Sequence, residues 1–248
     1  MRISVITVTY NSSATIKDTL ESVKAQVYPE VEHIVVDGLS KDDTIGIVSG
    51  YSHVSKVISE KDAGIYDAMN KGILASTGDV VGILNSDDFY YKNDVLSRVA
   101  AVFNEKNCDA VYGDLQYVDP NNLSKVARHW EAGKYSANAF KWGWMPPHPT
   151  FFVRKSVYER FGMFNLSMKT AADYELMLRF IHKYQISVEY IPSVLVSMRT
   201  GGVSNNNVMN RLRANQEDKQ AWAVNVLEPY WFTLYLKPLR KISQFIFK

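Results

Sequence analysis

Two adjacent carboxylates, Asp87 and Asp88, are the side chains of this sequence whose setting most suggests chemistry. They follow the apolar run at residues 80–84, from which Asn85 and Ser86 separate them, and such a run predicts a buried strand. In open α/β sheets, ligands bind beyond the carboxyl ends of the strands. Paired acids at that place suit a divalent cation that holds phosphate. The same residue types are also typical of an ordinary turn. The surrounding elements must therefore indicate whether these acids belong to a binding site or to a turn.

The elements around these acids alternate between strand and helix patterns. The β-rich runs occupy residues 3–9, 32–36, 54–59 and 80–84, and the helical stripes occupy residues 15–27, 42–51 and 65–74. This alternation predicts an α/β fold with a mostly parallel central sheet flanked by helices. Right-handed crossovers then place the ends of all four strands at one edge. Polar residues after each strand predict a binding site at that edge, although loops after strands are commonly polar for other reasons.

The second half of the chain is less regular. Two strand patterns that suit antiparallel pairing occupy residues 109–118 and 125–130, and a long loop follows at residues 134–149. Residues 155–161 and 172–184 have helical patterns. Residues 186–198 form one or two strands broken at Pro192, and residues 206–224 form a further helix. We expect a single mixed α/β domain over residues 1–225 and a helical tail over residues 226–248.

Composition narrows the class of protein. The chain has 248 residues, of which 46% are hydrophobic and 22% charged, which is typical of a globular domain. A net charge of +2 argues against nucleic acid as the main partner. Cys108 is the only cysteine, so an internal disulfide framework and a cysteine-based metal site are excluded, and a buried, inert thiol in a reducing cytoplasm is expected. The first residues lead directly into a strand rather than a signal peptide, and no run approaches the roughly 18 apolar residues of a membrane span.

The familiar glycine-rich nucleotide motifs are missing, so a nucleotide would be held through acids, amides and a metal. Four segments, at residues 5–11, 35–44, 62–72 and 84–88, resemble the successive motifs of glycosyltransferase family 2 in order and spacing. The resemblance covers residues 1 to about 200. It implies a GT-A fold, which is Rossmann-like, a nucleotide-sugar donor, inversion at the anomeric carbon, and usually Mg or Mn.

The resemblance also assigns roles to residues. Asp37 matches the acid that binds the nucleoside, which makes a uridine donor a reasonable expectation, although a turn acid is the alternative. The resemblance implies that further residues contact the donor: Thr7, Val8, Thr9 and Asn11 at the base, Lys61, Asp62, Asn70 and Lys71 near ribose and phosphates, and Asn85, Ser86 and Asp87 elsewhere on the nucleotide sugar. For Thr9 and Asn11 the alternative is that they only cap the turn from strand to helix. Lysines there would offset phosphate charge, but Lys71 also fits a solvated helix face.

The metal role falls to Asp87 and Asp88. The family motif commonly reads Asp-x-Asp-Asp, and this sequence has Asn85 in place of the first acid. That departure leaves the strength of metal binding open. A cation at this place would stabilise the charge of the departing diphosphate.

The catalytic base implied by the resemblance is Asp173, within the segment at residues 170–176. An inverting transfer needs a group that removes the proton of the acceptor hydroxyl as it attacks. Glu175 lies two positions further along and so occupies a different helix face. The alternative for Asp173 is an acid in the first turn of a helix, where the helix dipole favours it.

Three further residues are expected at the acceptor or the sugar. Trp144 and His148 lie in the aromatic loop at residues 142–150, where a ring could stack on a sugar. The imidazole could orient the acceptor or contact the metal, although a packed histidine fits equally. Arg199 lies in the segment at residues 198–204, which resembles the part that closes over the donor in relatives. The Gln-x-x-Arg-Trp motif of processive relatives is absent, which indicates one sugar per encounter.

The tail mixes aromatic and basic residues, which suits a membrane interface, and a helix packed onto the domain is the equal alternative. Pro238 interrupts it, so a clean membrane span is not expected. The expected partners are a UDP-type donor and a glycan or lipid-linked acceptor of cell-envelope polysaccharide synthesis, on the cytoplasmic side of the membrane. One alternative is a nucleotidyltransferase, but such an enzyme would have a glycine-rich loop in place of residues 9–13. Another is a non-catalytic binding module, but the presence of Asp88 and Asp173 argues against it.

Overall fold

The computed structural model describes residues 1–201 and 208–246. Its first half contains the predicted alternation: β1 (Ile3–Thr9), α1 (Ile16–Lys24), β2 (Val31–Asp37), α2 (Thr44–Ser49), β3 (Val54–Ser59), α3 (Ile65–Ala75) and β4 (Val80–Ile83). Helix α1 illustrates why apolar spacing predicts a helix. Its residues Ile16, Leu20 and Val23 recur at helical spacing and are buried on one face.

The four strands β3, β2, β1 and β4 are neighbours in the sheet, and all are parallel. Their register places Thr9 beside Asp37, and Asp37 beside Ser59. The strand ends therefore coincide at one edge, which confirms the predicted convergence of the loops.

The second half completes the sheet. It comprises β5 (Asp88–Tyr90), α4 (Val95–Lys106), β6 (Ala110–Asp119), β7 (Asn122–Trp130), β8 (Phe152–Arg154), α5 (Lys155–Phe161), α6 (Ala172–Met177), β9 (Val188–Arg199), α7 (Val208–Val224) and α8 (Thr233–Ile246). The order across the sheet is β3-β2-β1-β4-β8-β6-β9-β5, with β7 paired to β6. Helix α6 continues into a wider π-helical segment, Leu178–Lys183.

Several sequence expectations need correction. Strand β9 is not broken at Pro192: β6 pairs Gly113 with Ile191 and Asp114 with Val194, so Pro192 and Ser193 form a bulge within a continuous strand. Strands β5 and β8 were not predicted, because three residues are too few to show an alternating pattern. Parts of the expected closing segment (residues 202–204) and helix start (206 and 207) lie outside the described residues.

The core lies on both faces of the sheet. One face packs α3, α6 and α7 and contains large rings such as Phe140, Trp144 and Trp222. The other packs α4 and includes Cys108, which is buried as expected. Burial raises the pKa of that thiol to about 11, which suits a packing role.

The tail helix α8 packs against the domain and continues through Pro238. Lys237 Nζ lies 2.6 Å from Asp218 Oδ1 on α7. The backbone of α8 also approaches Gly143 so closely that a Cβ there would lie 2.6 Å from the Lys237 nitrogen, and the φ of +74° at Gly143 favours glycine as well. Across the described residues, no helix is both long and apolar enough to cross a membrane.

Candidate active site

The ends of β1, β2 and β3 meet at Gly38. A Cβ at this glycine would lie 2.5 Å from Asp62 Oδ2 and 3.3 Å from the Tyr10 ring, so only glycine leaves room for both side chains. Asp62 also accepts a 2.9 Å hydrogen bond from the Gly64 nitrogen, which fixes the loop before α3. Three strand ends therefore form one continuous surface.

Polar contacts join the neighbouring loops. The Asn11 backbone donates to Ser40 Oγ, and Asn11 Oδ1 accepts from the Lys41 nitrogen, both at 2.8 Å. The Ser86 hydroxyl lies 2.8 Å from that of Ser12, which ties the end of β4 to the end of β1. Thr9 contributes a buried hydroxyl with no hydrogen-bond partner among the described residues.

Asp37 lies at this junction and is fully buried. Its carboxylate accepts hydrogen bonds from the backbone and hydroxyl of Ser40 and from Ser59 Oγ, the last at 2.7 Å. The Asp37 side chain therefore lies at the end of β2. Most of the hydrogen bonds that its carboxylate can accept come from residues that it holds in place, chiefly in the loop after β2.

The acid pair lies at the start of β5. Asp88 is fully buried, and its Oδ2 accepts a 3.3 Å hydrogen bond from the Asn85 amide. Burial, followed by the charge of Asp87, raises the pKa of Asp88 well above its usual range. Burial also raises the pKa of Asp87, while Arg199 opposes that rise. Among residues 1–201 and 208–246, the charge of Arg199 thus does not offset the effect of burial on the two carboxylates.

The charge of Arg199 acts on both of these acids. The guanidinium donates to the Asp87 carbonyl at 2.5 Å and to the carboxylate of Asp18, and it lies 5.5 Å from the Phe89 ring centroid. Pairing of Asp88 with Met198 between β5 and β9 brings the arginine to this position. Arg199 therefore holds the loop that carries the acids.

The donor atoms at this site fit a divalent cation. Asn85 Oδ1 and Asp88 Oδ1 are buried oxygens without a hydrogen-bond partner among the described residues. Oxygen ligands are what Mg and Mn prefer, and a cation would compensate both carboxylates. Within residues 1–201 and 208–246, no group of three or more His, Cys, Asp or Glu side chains is arranged to hold a metal. Two acids and an amide oxygen therefore form only part of a coordination shell.

Asp173 belongs to a second polar group, joined to the strand ends through α3. The Tyr66 hydroxyl donates a 3.1 Å hydrogen bond to Asp173 Oδ1. Burial and then the charge of Asp173 raise the pKa of Tyr66 well above its usual range, so the hydroxyl keeps its proton and remains a donor. Tyr66 follows Asp62 by four residues, and this contact thus brings Asp173 towards the strand-end edge.

His148 and Phe164 complete the surroundings of Asp173. The Phe164 ring stacks on Tyr66 with centroids 5.5 Å apart and meets the edge of His148 at 5.7 Å. Burial lowers the pKa of His148, against the opposing charge of Asp173. The imidazole beside the acid is therefore neutral at pH 7, able both to donate and to accept a hydrogen bond.

Glu217 on α7 fixes the start of the helix that carries Asp173. Its carboxylate accepts from the backbone nitrogens of Lys169, Thr170 and Ala171 at 2.7–3.1 Å and from the Thr170 hydroxyl at 2.9 Å. Lys169 and Thr170 belong to the loop before α6, and Ala171 is the residue that directly precedes the helix. A carboxylate from another helix thus orders the segment that leads into α6.

A shallow cleft of about 130 Å³ lies next to this group. It is lined by the first turn of α3 with the preceding loop, residues 63–67, and by three residues of the loop before α6, Leu166, Met168 and Lys169. Tyr66 belongs to the lining, so the cleft adjoins the tyrosine that contacts Asp173.

Three of the predicted ligand residues have their polar groups bound within the protein. The Thr7 hydroxyl is buried against His33 Nε2 at 3.0 Å, away from the loops. Asn70 donates to the Phe164 carbonyl and accepts from its nitrogen, both at 2.9 Å, so its amide packs α3 against the loop before α6. Trp144 is 6% exposed, with Nε1 bonded to the Ala132 carbonyl, and is a core ring.

The remaining predicted residues lie near the edge with other partners. The Val8 side chain is in the core, and its carbonyl accepts from the Ser86 nitrogen at 3.3 Å. Lys71 Nζ is 2.9 Å from Glu60 and donates to the Lys61 carbonyl at 2.7 Å. The ammonium of Lys71 is thus compensated by the loop that was expected to approach the donor.

Sequence reasoning did not identify Tyr66, Phe164 or Glu217. Tyr66 had a signal, because it lies within the motif at residues 62–72 and shares a helix face with Asn70. Phe164 and Glu217 had none, since their partners are 94 and 46–48 residues away along the chain.

Comparison with known proteins places these features in a family. Residues 4–162 match the sequence profile of glycosyl transferase family 2. A PGL/p-HBAD biosynthesis glycosyltransferase of Mycobacterium bovis is 30% identical over 208 residues, which cover 82% of this chain and 78% of the relative.

Solved structures share the fold. TarS 1–349 of S. aureus in complex with UDP-GlcNAc superposes with a TM-score of 0.71 at 19% identity, covering 99% of this chain and 72% of TarS 1–349. The mannosyltransferase PcManGT of Pyrobaculum calidifontis, in complex with GDP-Man and Mn²⁺, gives a TM-score of 0.69 at 20% identity, covering 98% and 70%. The predicted GT-A fold is confirmed, and the chain belongs to glycosyl transferase family 2 and is a glycosyltransferase.

Proposed function

We propose that the enzyme transfers one sugar, with inversion, from a UDP-type donor to a hydroxyl of a glycan or lipid-linked acceptor. The observation that carries this proposal is the hydrogen bond from Tyr66 to Asp173. It joins a carboxylate from the second half of the chain to the strand-end edge, where the acids of the first half converge. A proton acceptor and a diphosphate-binding edge are the two parts that such a reaction needs.

The donor would lie across the strand ends. Tyr10, Gly38 and Asp62 form the surface that would receive the nucleoside, and Asp37 orders its wall through Ser40 and Ser59. TarS has been solved with UDP and with UDP-GlcNAc, which supports a uridine nucleotide here. The GDP-Man complex of the archaeal mannosyltransferase makes a guanosine donor the nearest alternative.

Mg or Mn would be held by Asp87 and Asp88, with the Asn85 amide oxygen as a third donor. When bound, the cation would supply positive charge to the diphosphate. Arg199 would maintain this arrangement, because it holds the Asp87 carbonyl and lowers the pKa of both acids against the effect of burial.

Asp173 would act as the general base. Its carboxylate would accept the proton of the acceptor hydroxyl while the hydroxyl oxygen forms a bond to the anomeric carbon from the face opposite the diphosphate. The bond between that carbon and the phosphate oxygen breaks, and its electron pair leaves with the nucleotide. Tyr66 would hold Oδ1 so that Oδ2 faces the acceptor, which would enter by the adjoining cleft.

The acceptor assignment rests on the relatives. A relative named for PGL/p-HBAD biosynthesis supports a biosynthetic role. We propose on this basis a cell-envelope glycan or lipid-linked acceptor, used at the inner face of the membrane.

A panel of nucleotide sugars read by thermal shift, with and without Mn²⁺, tests this function. A ligand that binds only the folded state stabilises it by RT ln(1 + [L]/Kd), about 2.7 kcal/mol at a hundredfold excess over Kd. We expect UDP and one UDP-sugar to raise Tm, and Mn²⁺ to increase the shift. Glu105→Gln, which alters an exposed acid on α4, serves as the control and retains both shifts. No response to any nucleotide would overturn the proposal.

A further inference from the structure

Four aromatic rings from two distant segments form one continuous surface cluster. The Trp142 ring lies 5.2 Å from Phe232 and 6.0 Å from Tyr230, measured between centroids. Trp231 extends the cluster from Phe232 at 5.5 Å. Because Trp142 belongs to the turn before Gly143 and the others precede α8, the cluster is part of the folded domain.

The outer side of this cluster is open to solvent. Trp231 is 85% exposed, Trp142 52% and Tyr230 41%. Tyr235 and Leu239 continue the surface along α8, since they are four residues apart on one helix face and are 71% and 55% exposed. These residues, Trp142, Tyr230, Trp231, Phe232, Tyr235 and Leu239, are called the aromatic face below.

Two hydrogen bonds from side chains to backbone carbonyls hold the aromatic face in place. The Thr233 hydroxyl donates to the Lys141 carbonyl at 2.6 Å, and Arg240 donates to the Trp142 carbonyl at 3.3 Å. These bonds join both ends of the face to the same turn. The rings are thus presented by an ordered helix and turn, and ordering them costs little additional entropy when they bind.

The charge around the aromatic face is mainly positive. Lys141 Nζ lies 5.1 Å from the centroid of the Tyr230 ring. The segment at residues 229–248 contains four basic residues and no acidic one, although one of the four, Lys237, is paired with Asp218 on α7. Exposed Trp and Tyr beside Lys and Arg are the composition of segments that bind at the surface of anionic bilayers.

We propose that the aromatic face is a docking surface for an anionic lipid bilayer. The rings enter the headgroup region, and Lys141 and Arg240, which lie beside them, meet the lipid phosphates. A second copy of the chain fits less well, because two positive tails would repel each other. This inference deepens the proposed function by naming how the enzyme reaches a membrane acceptor, but binding to lipid is measured without donor or sugar transfer, so either proposal can fail alone.

The test compares vesicles of phosphatidylcholine with vesicles that contain equal parts of phosphatidylcholine and phosphatidylglycerol. We expect the full chain to cosediment with the anionic vesicles and much less with the neutral ones, and added salt to weaken binding. The double variant Trp231→Ala/Tyr235→Ala should lower the vesicle partition coefficient by roughly tenfold or more. Tyr91→Ala, which removes a 44% exposed tyrosine that also has a lysine near its ring, is the matched control and should bind as the parent does.

A second measurement needs no variant. Tryptophan fluorescence of the parent chain should shift to the blue on anionic vesicles and be quenched by brominated acyl chains. Equal vesicle binding by the double variant and the parent, or no binding of the parent to anionic vesicles, would overturn the proposal. So would dimerisation of the parent that the double variant abolishes, because the face would then bind a second copy.

Discussion

The Tyr66 hydroxyl donates a 3.1 Å hydrogen bond to Asp173 Oδ1, although the two residues are 107 positions apart in the chain. Tyr66 is in the first turn of α3, directly after the loop that carries Asp62. Asp173 is in the first turn of α6, and Glu217 holds the segment that leads into this turn. The bond therefore joins the part of the fold that follows the strand ends to the helix that provides the proposed base, and it limits rotation of the carboxylate.

Replacing Tyr66 with Phe should lower kcat by roughly tenfold to a hundredfold, because the base remains and loses only its hydrogen-bond donor, and should change the Kd for UDP little. The ring and its stacking on Phe164 remain, while the donor to Asp173 is lost. Steady-state kinetics and calorimetric UDP binding separate the two effects. Tyr158→Phe removes another buried phenol from α5 and should leave kcat unchanged. A parent-like kcat in Tyr66→Phe would show that the contact is only structural.

Asp173→Asn tests the base directly. The amide keeps the shape and the hydrogen bond from Tyr66 but cannot take a proton, so kcat should fall by roughly 10²–10⁴-fold. Nucleotide binding, measured by calorimetry, should stay close to that of the parent because Asp173 is not among the strand-end acids. Glu159→Gln, an exposed acid on α5, provides the control. Substantial residual turnover in Asp173→Asn would assign proton removal to another group.

Glu217 should act as a positioning residue for Asp173. Glu217→Ala leaves the backbone donors of residues 169–171 without their acceptor and should cost roughly 2 kcal/mol of stability. We expect kcat to fall more than KM rises, since the start of α6 shifts while the donor surface does not. Glu217→Asp should restore part of both losses. A loss of stability with kcat unchanged would limit Glu217 to a structural role.

The first four strands and their common edge could be predicted because both depend on local pattern and general topology. Residues 3–9 and 54–59 have the same bounds in the structure as in the sequence prediction, since β-rich runs end there at polar residues. The convergence of loops then follows from parallel pairing alone. The family motifs added the positions of the acids, which the structure places at this edge.

What the sequence did not show depends largely on contact between residues distant in sequence. Asn70 and Trp144 are residue types that bind ligands, and their partners in the fold lie elsewhere in the chain. Asn70 pairs with Phe164, and Trp144 packs with Tyr112. Strand β8 likewise exists through pairing with β4 and β6. Such partners leave no periodic signal in a single sequence.

Asp88 should make stability depend on pH and on metal. Its folded-state pKa is raised by burial, so its ionisation opposes folding, and the metal-free protein should lose stability as pH rises through that pKa. Asp88→Asn should therefore raise Tm at pH 7 without metal, with the gain vanishing below the unfolded pKa of about 3.9. The same variant should lose the Tm increase that Mn²⁺ gives the parent. An unchanged response to Mn²⁺ would place the cation elsewhere.

Asn85→Asp restores the acid that the family motif commonly has and tests the same site from the opposite direction. A third carboxylate beside Asp87 and Asp88 increases repulsion without metal, so Tm in chelator should fall at pH 7. With Mn²⁺ the added charge should tighten binding of the cation by roughly tenfold, equivalent to about 1.4 kcal/mol.

Asn104→Asp is the control, because it adds the same charge on the exposed side of α4 and should change neither the Tm in chelator nor the affinity for Mn²⁺. Titration calorimetry with Mn²⁺ and UDP measures the affinity. If Asn85→Asp lowers Tm but leaves Mn²⁺ affinity unchanged, the unpartnered oxygens of Asn85 and Asp88 do not form the cation site, because a ligand position would respond to both changes.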